Sequence, residues 1–138
     1  MMTLHLGVMD VPYATGGITT AGVAQILEDK YGVMDGFVFL YEPEIHDALD
    51  DSVAGAIESL MAGAPPDIDP FGSGTSKIEK LFRDYLDKEE TNLIGATGVP
   101  TAAALAGKSK RFKRNSGPPR PSFIDTGLYQ ASFKAWVD

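Results

Sequence analysis

Histidine and aspartate side chains recur at helical spacing near the middle of the chain, where they could bind a metal ion. His46 and Asp50 are four residues apart, and Asp47 and Asp51 repeat that spacing, so each pair would share one face of a helix. A protein metal site needs three or four ligands, and the other histidine, His5, belongs to a separate segment. We therefore interpret these residues as the solvated face of an amphipathic helix and predict no metal site.

A glycine-rich segment, GSGTSK at residues 72–77, is similar to a loop that binds nucleotide phosphates. Such a loop requires Gly-x-x-x-x-Gly-Lys followed by Ser or Thr, directly after a strand. Here Lys77 follows Ser76 rather than a glycine, and a proline-rich stretch precedes the segment. The segment therefore favours the capped start of a helix, and we predict no nucleotide or other cofactor.

An Asp-Thr-Gly triplet near the C-terminus, formed by Asp125, Thr126 and Gly127, is the active-site triplet of aspartic proteases. The apolar pair Phe123-Ile124 precedes it, as in the retroviral type. In those enzymes two aspartates share a proton across a dimer axis, and the subunit continues with a flap and further strands. Only eleven residues follow Gly127, too few for those parts. We expect a tight turn fixed by Asp125 and predict no catalytic residue, with a dimeric aspartic hydrolase as an alternative.

Basic side chains are concentrated in one short segment, because six of the twelve lysines and arginines lie within residues 108–120. These six, with the aromatic residue among them, are Lys108, Lys110, Arg111, Phe112, Lys113, Arg114 and Arg120. A basic segment of this kind can contact nucleic-acid phosphates or an acidic protein surface. We favour an assembly arm over residues 108–121 that docks onto protein, because the chain as a whole is acidic. A small nucleic-acid-binding module is the alternative.

The net charge of −7 is divided unevenly along the chain. Residues 1–70 contain twelve acids and one base, a net charge of −11, whereas residues 71–138 contain seven acids and eleven bases, a net charge of +4. Complementary charge steers one surface onto another and fixes their order of docking. The division therefore favours a protein whose partner is another protein, including a second copy of itself.

Composition limits the class of protein further. A length of 138 residues and an apolar fraction of 43% fit a single domain with its own core. Cysteine is absent, which excludes disulfides, thiol catalysis and cysteine-ligated zinc. No apolar run approaches the roughly 20 residues that span a bilayer, and no basic residue precedes the first apolar stretch. We expect a protein made in the cytoplasm, with no membrane partner.

Strand patterns lie at the two ends of the chain. Alternation of apolar and polar residues predicts a short strand over residues 4–8 and a closing strand over residues 129–137. The run FVFLY at residues 37–41 fits either a buried strand or a helical segment. We predict an α+β fold in which a small mixed or antiparallel sheet packs against two or three amphipathic helices, the main one over residues 44–62.

The remaining helices are predicted from their caps. Thr19 or Thr20 can cap a helix that ends at Gly32, and Ser76 with Glu79 forms a capping box that opens another.

Proline and glycine separate these elements, with a Pro/Gly-rich linker over residues 63–74. Residues 91–122 contain no acidic side chain and many glycines and prolines, so we expect a long assembly loop that includes the basic arm, with one helical turn over residues 101–106. We predict a single domain over residues 1–138.

The stretch from Arg120 to Trp136 resembles a signature of tailed-bacteriophage proteins that complete the neck or the tail. The matching positions are Arg120, Pro121, Ile124, Asp125, Thr126, Gly127 and Ser132. Where that family usually has leucine two residues after the glycine, this chain has Tyr129, with Leu128 beside it. A looser similarity to phage virion proteins covers Thr20, Val23, Ala24, Leu27 and Glu28 and the following Tyr31-Gly32-Val33-Met34.

The resemblance implies a head–tail joining or tail-completion protein, similar to tail terminators, in the neck or tail region of a virion. Such a protein is a small α+β subunit that forms a homo-oligomeric ring between portal and tail, through which genomic DNA passes. Its implied partners are copies of itself and other neck, portal-adaptor or tail proteins. No enzyme activity and no cofactor are implied. An acidic helix face lining the channel would repel DNA and let it slide past.

Overall fold

The computed structural model describes residues 1–14, 16–88, 90, 98, 101–107, 119 and 127–138. Its elements follow the order β1 (Leu4–Val8), α1 (Thr20–Tyr31), α2 (Val33–Met61), α3 (Gly72–Asp87), α4 (Ala102–Leu105), α5 (Leu128–Ser132) and β2 (Phe133–Val137). The α+β class is confirmed: a two-stranded antiparallel sheet packs against helices. The predicted helical turn within residues 101–106 is α4.

The sheet joins the two ends of the chain. Its register runs from Leu4 opposite Val137 to Val8 opposite Phe133, and the alternating apolar residues of both strands face the core. On the outer face, the His5 ring stacks on Trp136 with ring centroids 5.3 Å apart. The strand predicted over residues 4–8 is confirmed.

The strand predicted over residues 129–137 is only half correct, because its first part is the short helix α5. Gly127 has a φ of 77°, a left-handed conformation that glycine adopts readily, and its carbonyl accepts from the N–H of Ala131 at 2.9 Å. Tyr129 and Phe133 are four residues apart, a spacing that suits a helix as well as a strand, and both are buried. Alternation alone did not distinguish the two.

Helix α1 has the caps that the sequence predicts. The Thr19 hydroxyl accepts from the N–H of Gly22 at 3.4 Å. Gly32 ends the helix in a left-handed conformation with a φ of 58°, and its N–H donates to the carbonyl of Glu28 at 2.9 Å.

Helix α2 is longer than predicted, since it begins at Val33 rather than at residue 44. The Glu28 carboxylate caps its first turn by accepting from the N–H groups of Met34 at 2.7 Å and Asp35 at 3.0 Å. The FVFLY run is therefore helical, with a kink at Tyr41, whose φ is −113°. Pro43 explains the kink, because it cannot donate a backbone hydrogen bond and its ring displaces the preceding turn.

Helix α3 begins at Gly72, so the predicted linker over residues 63–74 is shorter and Ser76 lies inside the helix. The capping box is wrong. Its Glu79 carboxylate instead accepts from the β2 backbone at Ala135 N (3.3 Å) and lies 3.4 Å from Lys134 Nζ. The side chain predicted to cap its own helix ties that helix to the sheet.

The core lies between α3, the first part of α2 and the sheet. Phe82 of α3 stacks on Phe133 of β2 with centroids 3.8 Å apart, and Phe37 of α2 meets Phe82 edge to face at 5.2 Å. The Tyr85 hydroxyl donates to the carbonyl of Val33 at 3.1 Å. The expectation that the sheet packs mainly on residues 44–62 is wrong: α3 is the main support of the sheet, and α2 reaches Phe133 through Phe37.

Candidate assembly surface

Helix α3 runs antiparallel to α2 and covers only part of it. Tyr85, near the end of α3, contacts the start of α2, and Gly74, near the beginning of α3, contacts α2 at Ala48 and Ser52. Helix α2 continues for nine residues beyond Ser52, about 13 Å at 1.5 Å per residue. The chain then returns to α3 through residues 62–71. We call residues 53–70 the α2 extension.

The α2 extension contains no buried residue. Four of its large apolar side chains are exposed: Ile57 by 52%, Leu60 by 47%, Met61 by 83% and Ile68 by 101%. Sequence periodicity places the first three in the apolar stripe that includes Ile45, which is buried. The stripe is therefore part core and part open surface, and grouped exposed apolar side chains of this kind mark interaction sites.

A shallow groove runs between the end of α2 and the returning loop. It has a volume of about 420 Å³ and is lined by Ala56, Ser59, Ala64, Pro65, Pro66, Asp67 and Ile68. Small side chains on the helix and rigid prolines on the loop leave room for one apolar side chain from a partner. Asp67, which also lines the groove, provides a negative charge.

One polar junction fixes where the α2 extension begins. The Ser52 hydroxyl donates to the carbonyl of Pro70 at 2.8 Å and accepts from the N–H of Gly74 at 3.1 Å. It also lies 2.7 Å from the Ser73 hydroxyl oxygen. Ser52 is buried, so these contacts fasten both ends of the extension at one point.

The residues with phosphate-loop similarity form the first turns of α3 rather than a loop. The N–H of Gly74, one of the groups that a phosphate would need, is bonded to Ser52. The Lys77 ammonium lies 3.1 Å from the Asp51 carboxylate. This segment is used to join α2 and α3.

The acidic face of α2 lies partly along a groove shared with α3. That groove, of about 310 Å³, is lined by Glu44, Asp47, Ala48, Asp51, Lys77, Lys80, Leu81 and Asp84. Four carboxylates there outnumber two lysines, and those lysines already pair with Asp51 and Asp84. The groove keeps a negative charge, and the chain's own lysines occupy part of it.

The histidine and aspartate pairs do not converge. His46 and Asp50 are exposed on α2 beside an apolar groove, while His5 lies on the outer face of the sheet, with its Nε2 2.9 Å from an Asp138 carboxylate oxygen. Within the described ranges, no group of three His, Asp or Glu side chains could hold a metal ion.

Most of the predicted site residues lie outside the described residues. They are Lys108, Lys110, Arg111, Phe112, Lys113, Arg114, Arg120, Asp125 and Thr126. Gly127 is described, and its left-handed conformation starts α5. The hydrogen bonds predicted for Asp125 stay a prediction.

A cluster of tyrosines lies at the end of the molecule opposite the α2 extension. Burial raises the pKa of Tyr41, and its hydrogen bond to the Glu90 carboxylate raises that pKa further. Burial also raises the pKa values of Tyr85 and Tyr129. All three phenols therefore stay neutral at physiological pH and act as packing groups.

Comparison with known proteins gives no relative: no family model, no curated protein and no solved structure matches the chain. Among the described helices, none is both long enough and apolar enough to cross a membrane.

Proposed function

We propose that this chain is a structural subunit of a tailed-bacteriophage virion that assembles into a homo-oligomeric ring at the neck or the completed tail. Genomic DNA would pass through the ring, and other neck, portal-adaptor or tail proteins would bind its two sides. The subunit acts by binding and has no catalytic role.

The observation that carries the proposal is the uncovered α2 extension. A chain with a packed aromatic core still exposes Ile57, Leu60, Met61 and Ile68 on one overhanging element. Burying such side chains in an interface is favourable by roughly 25 cal/mol per Å² of apolar surface. In a larger assembly, a neighbouring subunit would bury this surface.

Charge supports the ring form of assembly. In a ring, each subunit presents two different surfaces to its neighbours, and opposite charge on those surfaces favours one order of contact. The first seventy residues carry a net charge of −11 and the remainder +4. The resemblance of residues 120–136 to neck and tail-completion proteins gives the proposal its place in a virion.

One variant tests the proposal against the nucleic-acid alternative. Replacing Lys110, Arg111, Lys113 and Arg114 with glutamine should abolish ring formation in negative-stain images while leaving far-ultraviolet circular dichroism unchanged. A control variant with glutamine at the three lysines Lys30, Lys80 and Lys88, which lie outside the basic segment, should still form rings. Rings that persist in the first variant, together with salt-sensitive DNA binding by the intact chain, would contradict the proposal.

A further inference from the structure

The α2 extension has a charge that decides which partner it can bind. Residues 53–70 contain Glu58, Asp67 and Asp69 and no basic residue. Two extensions placed face to face would bring six carboxylates together, which like-charge repulsion disfavours. The surface therefore requires a partner that is basic and that also carries an apolar side chain.

The described basic residues near α2 are largely occupied within their own chain. Lys77 pairs with Asp51, Lys80 with Asp84, and Arg83 and Lys134 both pair with Glu79. By contrast, residues 108–120 contain six bases and no acid, with Phe112 at the centre of the basic run. The segment is basic and carries an aromatic side chain, whereas the α2 extension is acidic and exposes apolar side chains.

We propose that residues 108–120 of a second copy bind the α2 extension, with Phe112 seated in the groove beside Ile68 and the basic residues facing Glu58, Asp67 and Asp69. This deepens the assembly proposed above and rests on it, because it names the two surfaces that join neighbouring subunits. Each subunit would then receive one segment and donate its own to the next, as a heterologous interface requires.

The position of the flanking residues favours a second copy over the chain's own segment. A Cβ at Gly98 would lie 3.9 Å from the ring of Tyr31, the last residue of α1, two residues before α2 begins. On the other side, the Gln130 amide donates to the Arg83 carbonyl and the Asp87 carboxylate at the end of α3, both at 2.9 Å. Both flanks lie at the end of the α2–α3 pair opposite the extension. From Val33 to Ala56, the first residue of α2 that lines the groove, the helix spans roughly 35 Å, and the fifteen residues from Gly127 back to Phe112 reach at most about 50 Å. The chain's own Phe112 would reach the groove only if those residues were largely extended, whereas a second copy imposes no such requirement.

Single cysteines test the contact directly, since the chain has none of its own. A Leu60→Cys variant mixed with an Arg111→Cys variant should form a disulfide-linked heterodimer under mild oxidation. Ile26→Cys is a matched control, because Ile26 is 54% exposed on α1; mixed with Arg111→Cys, it should give at least tenfold less cross-linked product. A chain carrying both Leu60→Cys and Arg111→Cys should form ladders of linked subunits.

Charge reversal is a second test of the same contact. Glu58→Lys with Asp67→Lys should raise the concentration needed for assembly by about tenfold or more, because attraction to the basic segment becomes repulsion. Asp29→Lys with Glu42→Lys changes the same charge at exposed positions on α1 and early α2 and should leave that concentration within about twofold.

The outcomes separate this inference from the proposed function. Rings that form normally without a cross-link between Leu60→Cys and Arg111→Cys would overturn this inference but would not contradict the proposed ring assembly. A disulfide closed within one monomer of the double variant would overturn it in favour of the chain's own segment. Cross-linked chains that never close into rings would support the contact and contradict the proposed function. A chain that neither assembles nor cross-links would contradict both.

Discussion

Gly74 lies at a close approach of α3 to α2, and replacing it with alanine tests how the α2 extension is held. A Cβ at this position would lie 2.6 Å from the carbonyl oxygen of Ala48 and 3.1 Å from the Cβ of Ser52. The nearer atom belongs to the helix backbone, so no side-chain rotation can relieve the contact. One helix must shift, which would weaken the hydrogen bond from the Gly74 N–H to Ser52.

The size of the effect follows from two opposing contributions. Overpacking a close contact costs about 1–3 kcal/mol, and a backbone clash belongs at the upper end of that range. Alanine in place of glycine gains about 1 kcal/mol of helix propensity. We therefore expect Gly74→Ala to lower the free energy of unfolding by about 2 kcal/mol.

Gly55→Ala is the matched control. Gly55 lies inside α2, and a Cβ there would meet nothing within 4 Å, so this variant should gain about 1 kcal/mol. Urea unfolding followed by far-ultraviolet circular dichroism should thus separate the two variants by about 3 kcal/mol. Equal stabilities for the two variants would refute the close packing of α3 on α2.

Three further predictions concern the core and the start of α2. Burial raises the pKa values of Tyr85 and Tyr129 above the ordinary value of 10.0, so above about pH 10 the unfolded state loses these protons before the folded state does. The free energy of unfolding should then fall by roughly 1.4 kcal/mol per pH unit for each tyrosine. A urea midpoint that stays constant from pH 9 to 11 would contradict this. Glu28→Gln should lower the free energy of unfolding by about 1 kcal/mol, because the carboxylate caps α2. Asp29→Asn, at the exposed neighbouring position, should leave that free energy nearly unchanged in the same assay. Phe82→Ala should lower the free energy of unfolding by about 3–5 kcal/mol, because it removes the ring stacked on β2. A decrease below 1 kcal/mol in thermal unfolding would show that this ring is not in the core.

Capping residues in the sequence predict the ends of a helix when those residues lie next to the helix in the chain. Thr19 and Gly32 lie next to the helix that they cap, so their residue types alone indicate where α1 begins and ends. The same signals fail at α3. There the Gly74 N–H is satisfied by Ser52, 22 residues away, and Glu79 bonds to β2 instead of to its own helix. A capping box is informative only when no distant residue competes for its side chains.

The candidate surface could be predicted only in part, for a similar reason. The acidic residues of α2 are apparent from the sequence, whereas the exposure of its apolar residues is not. Ile45 and Ile57 follow the same helical pattern, yet Ile45 is 4% exposed and Ile57 is 52% exposed. The difference depends on where α3 begins to cover α2, which the hydrogen bonds of Ser52 determine.

Native mass spectrometry of the unmodified chain shows directly whether it assembles into a ring. We predict one dominant species whose mass is a fixed multiple of the 14.7 kDa subunit and which dissociates as salt is raised, because opposite charges hold its subunits together. A chain that remains monomeric over the whole concentration range at low salt would contradict assembly into a ring.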